Sequence, residues 1–406
     1  MPIQSIMRAD AKNKKKNAHE GLARSPSAPV GETLRGVHPD HSGSWTVRSA
    51  HGVDLRISFQ SGPEVVLRMG DERDVHTTPP RSGIPSGGDT FSLDDLGEGG
   101  HGFRMGAAER KGRRQQLEDE HTMKNGLPGA WSVCAVYDGH GGRSVSRYLK
   151  LHAVESVESL LVQGADEEAL RKAIDDGLHE VDRKILDRLD EMKASGAGPS
   201  PGDAPTERDG PMELESDAGS TACFVFLNKQ LKRIVAANVG DSRAVLCRNG
   251  EAKDLTTDQK PSLQSEKDRI KGAGGVVYGG RVCGLLGVSR SFGDIEFKRW
   301  HNINDDADQG GEPSNGPPDE SSYLVVATPE VQAEPIEQGD KFVIVACDGV
   351  WDVLKSQEAV DCVIYCLESH PEEIERAAAA ADALVSRALE RGSTDNCTAV
   401  VCLIDS

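Results

Sequence analysis

Aromatic residues make up only 4% of the 406-residue chain, no apolar run approaches the ~18 residues of a membrane span, and no C-x-x-C pair occurs. The 37% hydrophobic content is low but sufficient for a core, so the first shortage does not exclude a folded domain. The second excludes a spanning helix. The third, with no companion histidine set, argues against structural zinc. Nine cysteines is an odd number, and most fall inside apolar runs (Cys134, Cys223, Cys347, Cys397, Cys402), the usage of a reducing compartment where the thiol packs as a small hydrophobe. Basic side chains are also short, 47 against 66 acidic, a net charge of -19. Neither a nucleic-acid backbone nor an anionic membrane finds a basic stripe on such a surface, so no nucleic-acid partner is expected. The start lacks a signal-peptide stretch, Pro2 stands where myristoylation needs Gly, and Cys402 lies one residue too early for a prenylated tail. A soluble, monomeric, cytoplasmic protein is expected, with the nucleus as the alternative compartment.

What the chain has in quantity is glycine and proline, 44 and 20, which imply long loops around one large domain or two ordinary ones. Residues 1–43 are polar and basic, and the first 50 carry a net charge of +4; they are read as a disordered tail. From 44 to 69, Val53, Leu55, Ile57 and Phe59 alternate with polar residues between Gly and Pro turns, a small antiparallel meander. Residues 70–100 return to Pro, Gly and Ser and read as a linker. Beyond 101, apolar strand-like runs at 131–137, 221–227, 233–239, 243–247, 324–327, 342–347 and 397–404 are separated by helical periodicity at 144–162, 356–369 and 372–391. Leu170, Ile174, Leu178, Val181, Ile185 and Leu189 recur three or four apart, the buried stripe of a further helix. This grouping argues for α+β layers, not an alternating parallel sheet. Residues 194–217 and 302–322 are too rich in Pro, Gly and acids to pack and are expected as loops.

The most informative pattern is where Asp falls. VCAVY runs into Asp138-Gly139-His140-Gly141-Gly142, FVIVAC into Asp348-Gly349, IVAANVG into Asp241, and Asp395-Asn396 immediately precedes CTAVVCLI. Glu118-Asp119 form a fifth acidic turn. Carboxylates held together repel one another unless a cation is present, and oxygen ligands without His or Cys partners favour Mg²⁺ or Mn²⁺. Any single Asp-Gly after a strand is most often a turn, and spacing alone does not bring these strand ends together.

Taken in order, Arg114-Gln-Gln-Leu-Glu118-Asp119-Glu-His121, YDGHGG, Gly219-Ser220-Thr221-Ala222, NVGDSR, CDGVWDV and GSTDNCT resemble the metal-dependent type 2C protein phosphatases, over residues 101–406. The resemblance implies a four-layer α/β/β/α sandwich of two antiparallel sheets flanked by helices, with the site at one end and 194–217 as an insertion. It implies two Mg²⁺ or Mn²⁺ ions and a weaker third. Asp138 would bridge two metals, with the Gly139 carbonyl on one and Asp348 and Asp395 on the other. Glu118 and Asp119 would hold metal-bound waters, and Asp241 would belong to the third ion. Arg114 would grip the substrate phosphate and His140 would protonate the departing serine or threonine oxygen. The implied chemistry is attack of a metal-activated water on a phosphoprotein, with no covalent intermediate. Two alternatives share the scaffold: a small-molecule phosphatase and a non-catalytic binding module, though the latter should have lost acids that are retained here.

Departures from the family pattern lie near the substrate-recognition flap: Gln259 for His in D-H-K-P, Cys283 for Asn, and Gly287 for Ala before Ser289-Arg290. None removes an expected ligand. Other motifs fail. Gly272 to Val277 lacks the last Gly of a dinucleotide fingerprint, Gly287 to Ser291 lacks the closing Gly of a nucleophile elbow, and Asp306 to Gly310 lacks the Gly and Glu of a calcium loop.

Overall fold

The computed structural model describes residues 44–48, 54–58, 89–94, 100–161, 165–195, 214–215, 217–299, 322–369 and 375–404. The expected tail 1–43, most of the 70–100 stretch and nearly all of the loops at 194–217 and 302–322 lie outside them. The chain divides into two units, Met1–Pro85 and Ser86–Ser406. In the first, β1 (Ser44–Arg48) pairs antiparallel with β2 (Asp54–Ser58), Ser44 opposite Ser58 and Arg48 opposite Asp54.

The second unit opens with β3 (Asp89–Leu93), β4 (Arg104–Arg110), β5 (Glu120–Leu127), β6 (Trp131–Tyr137), the two-residue β7 (Gly139–His140), α1 (Ser144–Leu160) and α2 (Glu167–Ser195). It continues through β8 (Gly219–Ser220), β9 (Ala222–Asn228), β10 (Arg233–Val239), β11 (Arg243–Arg248), β12 (Glu251–Asp254), α3 (Gln264–Gly272) and the hairpin of β13 (Val277–Tyr278) and β14 (Arg281–Val282). It closes with β15 (Phe292–Gly293), α4 (Ile295–Lys298), β16 (Glu330–Pro335), β17 (Asp340–Ala346), α5 (Asp348–Trp351), α6 (Ser356–Ser369), α7 (Arg376–Glu390) and β18 (Cys397–Leu403).

The two large sheets are antiparallel, one of five strands ordered β16-β10-β9-β6-β5 and one of six ordered β12-β11-β17-β18-β4-β3, and a small sheet ordered β15-β8-β7 accompanies them. The period-two rule explains why the central strands of the large sheets read as unbroken apolar runs: both faces are covered. On β6, Trp131, Val133, Ala135 and Tyr137 face α1 and α2, while Cys134 and Val136 face the other sheet. On β17, Phe342, Ile344 and Ala346 face α6 and α7, while Val343 and Val345 point between the sheets. The fold is therefore α+β, a sandwich of helices, sheet, sheet and helices. No helix among the described residues is long and apolar enough to cross a membrane.

Two local expectations change. Residues 89–93, inside the stretch whose composition reads as linker, form edge strand β3 beside β4. Their signal is only Phe91, whose ring tilts over His121 at 4.7 Å between centroids, and Leu93, which packs on the core between the sheets. Conversely, 324–327 is not a strand beyond a single parallel bridge from Val326 to Arg290. Leu324 and Val325 are buried, but the backbone there is engaged by loops: Leu324 N–H donates to the Phe297 carbonyl, and Ser291 N–H donates to that of Val326.

Candidate functional site

Antiparallel pairing places the acid-bearing strand ends together. Asp138 follows β6, Asp119 precedes β5, and Glu120 lies opposite Tyr137, so both turns sit at one end of the first sheet. In the second sheet Asp348 follows β17 and Asp395 precedes β18, with Ala346 opposite Ala399. Asp241 turns β10 into β11, which carries the chain from one sheet to the other at that same end. Between them opens a cleft of about 440 Å³ lined by Arg114, Asp138, Gly139, His140, Asp241, Asp348 and Asp395. Thus seven of the nine candidate residues share one wall. Lys260, Asp352, Thr221 and the 279–288 segment complete it.

The two others, Asp119 and Glu118, are not among the lining residues. Asp119 is 2% exposed, and neither of its carboxylate oxygens has a hydrogen-bond partner among the described residues; the Cys347 thiol and Thr398 hydroxyl approach without reaching bonding geometry. Glu118 accepts the Gly142 N–H at 2.8 Å, and its backbone carbonyl accepts the Ser146 hydroxyl, so it holds the Asp138 to Gly142 turn.

The electrostatics are those of a site short of positive charge. Oxygens of Asp138, Asp241 and Asp348 lie within 4.8 Å of one another, as do donor atoms of Asp119, Asp138 and Cys347. Burial, followed by the charges of neighbouring carboxylates, pushes Asp348 up to about 7 and Asp138 well above the usual carboxylate range. Burial above all carries Asp119 to about 7. Asp241 is also raised by burial although Lys260 donates to it at 3.0 Å, and its second oxygen is buried without a partner. Orphaned buried oxygens and carboxyls driven toward protonation are what a hard divalent cation would relieve, so the residues present fit such an ion. Arg114, half exposed, donates to Asp395 at 2.5 Å.

Residues 103–397 match the family model described as Protein phosphatase 2C. The chain belongs to the protein phosphatase 2C family. It is 34% identical over 311 residues to human "Protein phosphatase 1A", covering 74% of this chain and 71% of that protein. It is 32% identical over 313 residues to "Protein phosphatase 2C 57" of Arabidopsis thaliana, covering 74% of each. The crystal structure of a serine-threonine phosphatase 2C from Toxoplasma gondii superposes with a TM-score of 0.56 at 20% identity, covering 78% of this chain and 99% of that one, which supports the fold.

Three polar residues of this phosphatase 2C site escaped sequence reasoning. Asp352 lies one helical turn beyond Asp348, a spacing visible in CDGVWD. Lys260 sits 3.0 Å from Asp241 and 3.6 Å from Asp352; burial alone would depress its ammonium, but those acids outweigh burial and raise its pKa. Asp294 accepts from His140 across 154 residues of chain, and no local pattern marks it. Burial draws the His140 pKa down, but the charge of Asp294 and the hydrogen bond to it outweigh burial and leave it raised.

A buried ion pair anchors this corner. The Lys298 ammonium on α4, fully buried, donates to both Asp182 oxygens on α2, at 2.6 and 2.7 Å, and to the Ser291 carbonyl at 2.8 Å. Lys298→Met keeps the aliphatic stem but leaves Asp182 buried without its cation, and is expected to cost ~3–5 kcal/mol. The measurement is the urea midpoint at unchanged slope. A loss below ~1 kcal/mol would show that Asp182 rehydrates freely.

Proposed function

We propose that this family member is a serine/threonine protein phosphatase that hydrolyses phosphoserine and phosphothreonine with Mg²⁺- or Mn²⁺-activated water and no covalent enzyme intermediate. The observation that carries the reading is the acid cluster with its unpartnered buried oxygens, opening on a cleft that also presents Arg114 and His140. Asp138, the Gly139 carbonyl, Asp348 and Asp395 would hold two ions, Asp119 and Glu118 would act through water, and Asp241 would take part in a weaker third position. Ions held there would supply acidified water and neutralise phosphoryl charge for in-line displacement. Arg114 has guanidinium donors beyond the one given to Asp395, and these suit the phosphoryl oxygens. His140 delivers a proton to the leaving alcohol oxygen, which otherwise departs as a strongly basic alkoxide.

A protein substrate is favoured over a metabolite by the rim. Val276, Tyr278 and Leu285 are 45%, 38% and 46% exposed on the segment that supplies Gly279, Gly280 and Leu286 to the cleft, an apolar border suited to residues flanking a phosphorylated side chain. The test is a comparison of kcat/KM on phosphoserine and phosphothreonine peptides against sugar and nucleotide monophosphates, with Mn²⁺ present. The peptides should be preferred by at least ~10-fold, the value of one buried apolar contact. Equal or higher efficiency on a metabolite phosphate would overturn the protein reading in favour of a small-molecule phosphatase.

A further inference from the structure

We infer that Asp294 is the positioning residue of His140, fixing which ring nitrogen is available for proton transfer; the inference rests on the reading of His140 as the proton donor. His140 Nε2 lies 2.8 Å from the Asp294 carboxylate, and the Ser291 hydroxyl donates to the same oxygen at 2.5 Å. An ionised carboxylate accepts hydrogen bonds and cannot donate them, so the proton on Nε2 is the one it holds. Nδ1 is left as the nitrogen not engaged by Asp294. The Asp294 side chain is 4% exposed and that of His140 29%, so the bond is shielded at the acid and open at the ring.

The fold is built to bring this pair together. His140 is on β7 and Asp294 directly follows β15, and these strands are not neighbours: β8 runs between them, with Gly219 opposite both His140 and Gly293. The contact passes over Gly219, where a Cβ would stand 2.3 Å from the Asp294 oxygen and 2.4 Å from His140 Nε2, so only glycine leaves room. Asp294 itself adopts a left-handed backbone, φ 49° and ψ 44°, at the start of α4. That conformation is costly for most residues and is held from three sides. Its N–H donates to the Ala218 carbonyl, the adjacent Gly293 N–H donates to Asp182, and the buried Lys298 ammonium ties α4 to Asp182 and Ser291. Together these groups determine where one carboxylate oxygen lies.

The experiment is Asp294→Asn. Asparagine has the same shape and tolerates the left-handed conformation, but it lacks the charge that holds the proton on Nε2. Turnover is measured in the full-length protein with saturating Mn²⁺ on a phosphoserine peptide and on an activated aryl phosphate, whose leaving group needs little protonation. The ratio of the two rates from one sample cancels any loss of folded enzyme. Asp294→Asn is expected to slow the peptide ~10²-fold with KM nearly unchanged, to slow the aryl phosphate much less, and to add nothing in a His140→Ala background. Equal slowing of both substrates, or losses that multiply with those of His140→Ala, would overturn the inference. His140→Ala separates the two levels: if it changes the ratio and Asp294→Asn does not, the pairing falls alone. If His140→Ala leaves the ratio unchanged, the proton-donor reading falls and the pairing with it.

Discussion

Asp138→Asn is expected to lose at least ~10²-fold in turnover on a phosphoserine peptide, and Asp348→Asn a comparable amount, even with Mn²⁺ in large excess. Both side chains line the cleft, and their oxygens lie within 4.8 Å of each other and of Asp241. The amide keeps the shape of the carboxylate but removes a full negative charge from a site whose function is to concentrate such charge. Circular dichroism and thermal melts should show a folded protein, because the amide also relieves repulsion among buried acids. Near-normal turnover in either variant would show that the residue is not a ligand and that the cluster has been assigned wrongly at that position.

Exhaustive chelation is expected to abolish activity, with recovery on Mn²⁺ or Mg²⁺, and to leave a protein whose stability falls as pH rises. The sign follows from linkage. Asp119 and Asp348 titrate near 7 in the folded, metal-free protein against 3.8 ordinarily, and Asp138 is raised as well, so the folded state binds more protons than the unfolded one between those limits. Their contribution is complete below about pH 4 and is lost as pH rises through about 7. The difference in Tm between metal-loaded and chelated protein should therefore be small at pH 5 and large at pH 8, a comparison that cancels groups remote from the site. A difference that shrinks as pH rises, or full activity after chelation, would contradict a cation-dependent site.

The parts of this fold that can be read from sequence are those where a strand is covered on both sides. β6, β9, β10, β17 and β18 appear as apolar runs because helices press on one face and the opposite sheet on the other. β4 was not legible, since its sequence RMGAAER is dominated by small and charged residues. Its middle lies directly under α7, where a Cβ on Gly106 would come 2.0 Å from the Ala378 nitrogen, so close packing selected against the bulky residues that announce a strand. β16 is an edge strand with no fully buried position, and it too left no alternating signal strong enough to read. In the site, acids at strand ends were visible because the strands were; their convergence came from antiparallel pairing, which spacing does not encode. Lys260 and Asp294 were invisible for another reason: each earns its role from a partner 19 or 154 residues away.

The acids belong to two different sheets, and this makes the site a mechanical element as well as a chemical one. Asp119 and Asp138 are carried by one sheet, Asp348 and Asp395 by the other, and what lies between the sheets is a buried apolar layer that includes Cys134, Val136, Cys223, Val343, Val345 and Cys402. Like charges facing each other across that seam act as a wedge at one end of the sandwich, and the apolar layer is the hinge it works against. A cation held by acids of both sheets would turn the wedge into a rivet. Ligand affinity at the open end and packing at the closed end would then be two readings of the same inter-sheet spacing, and a change of side-chain volume far inside the seam would be felt as a change in grip at its mouth.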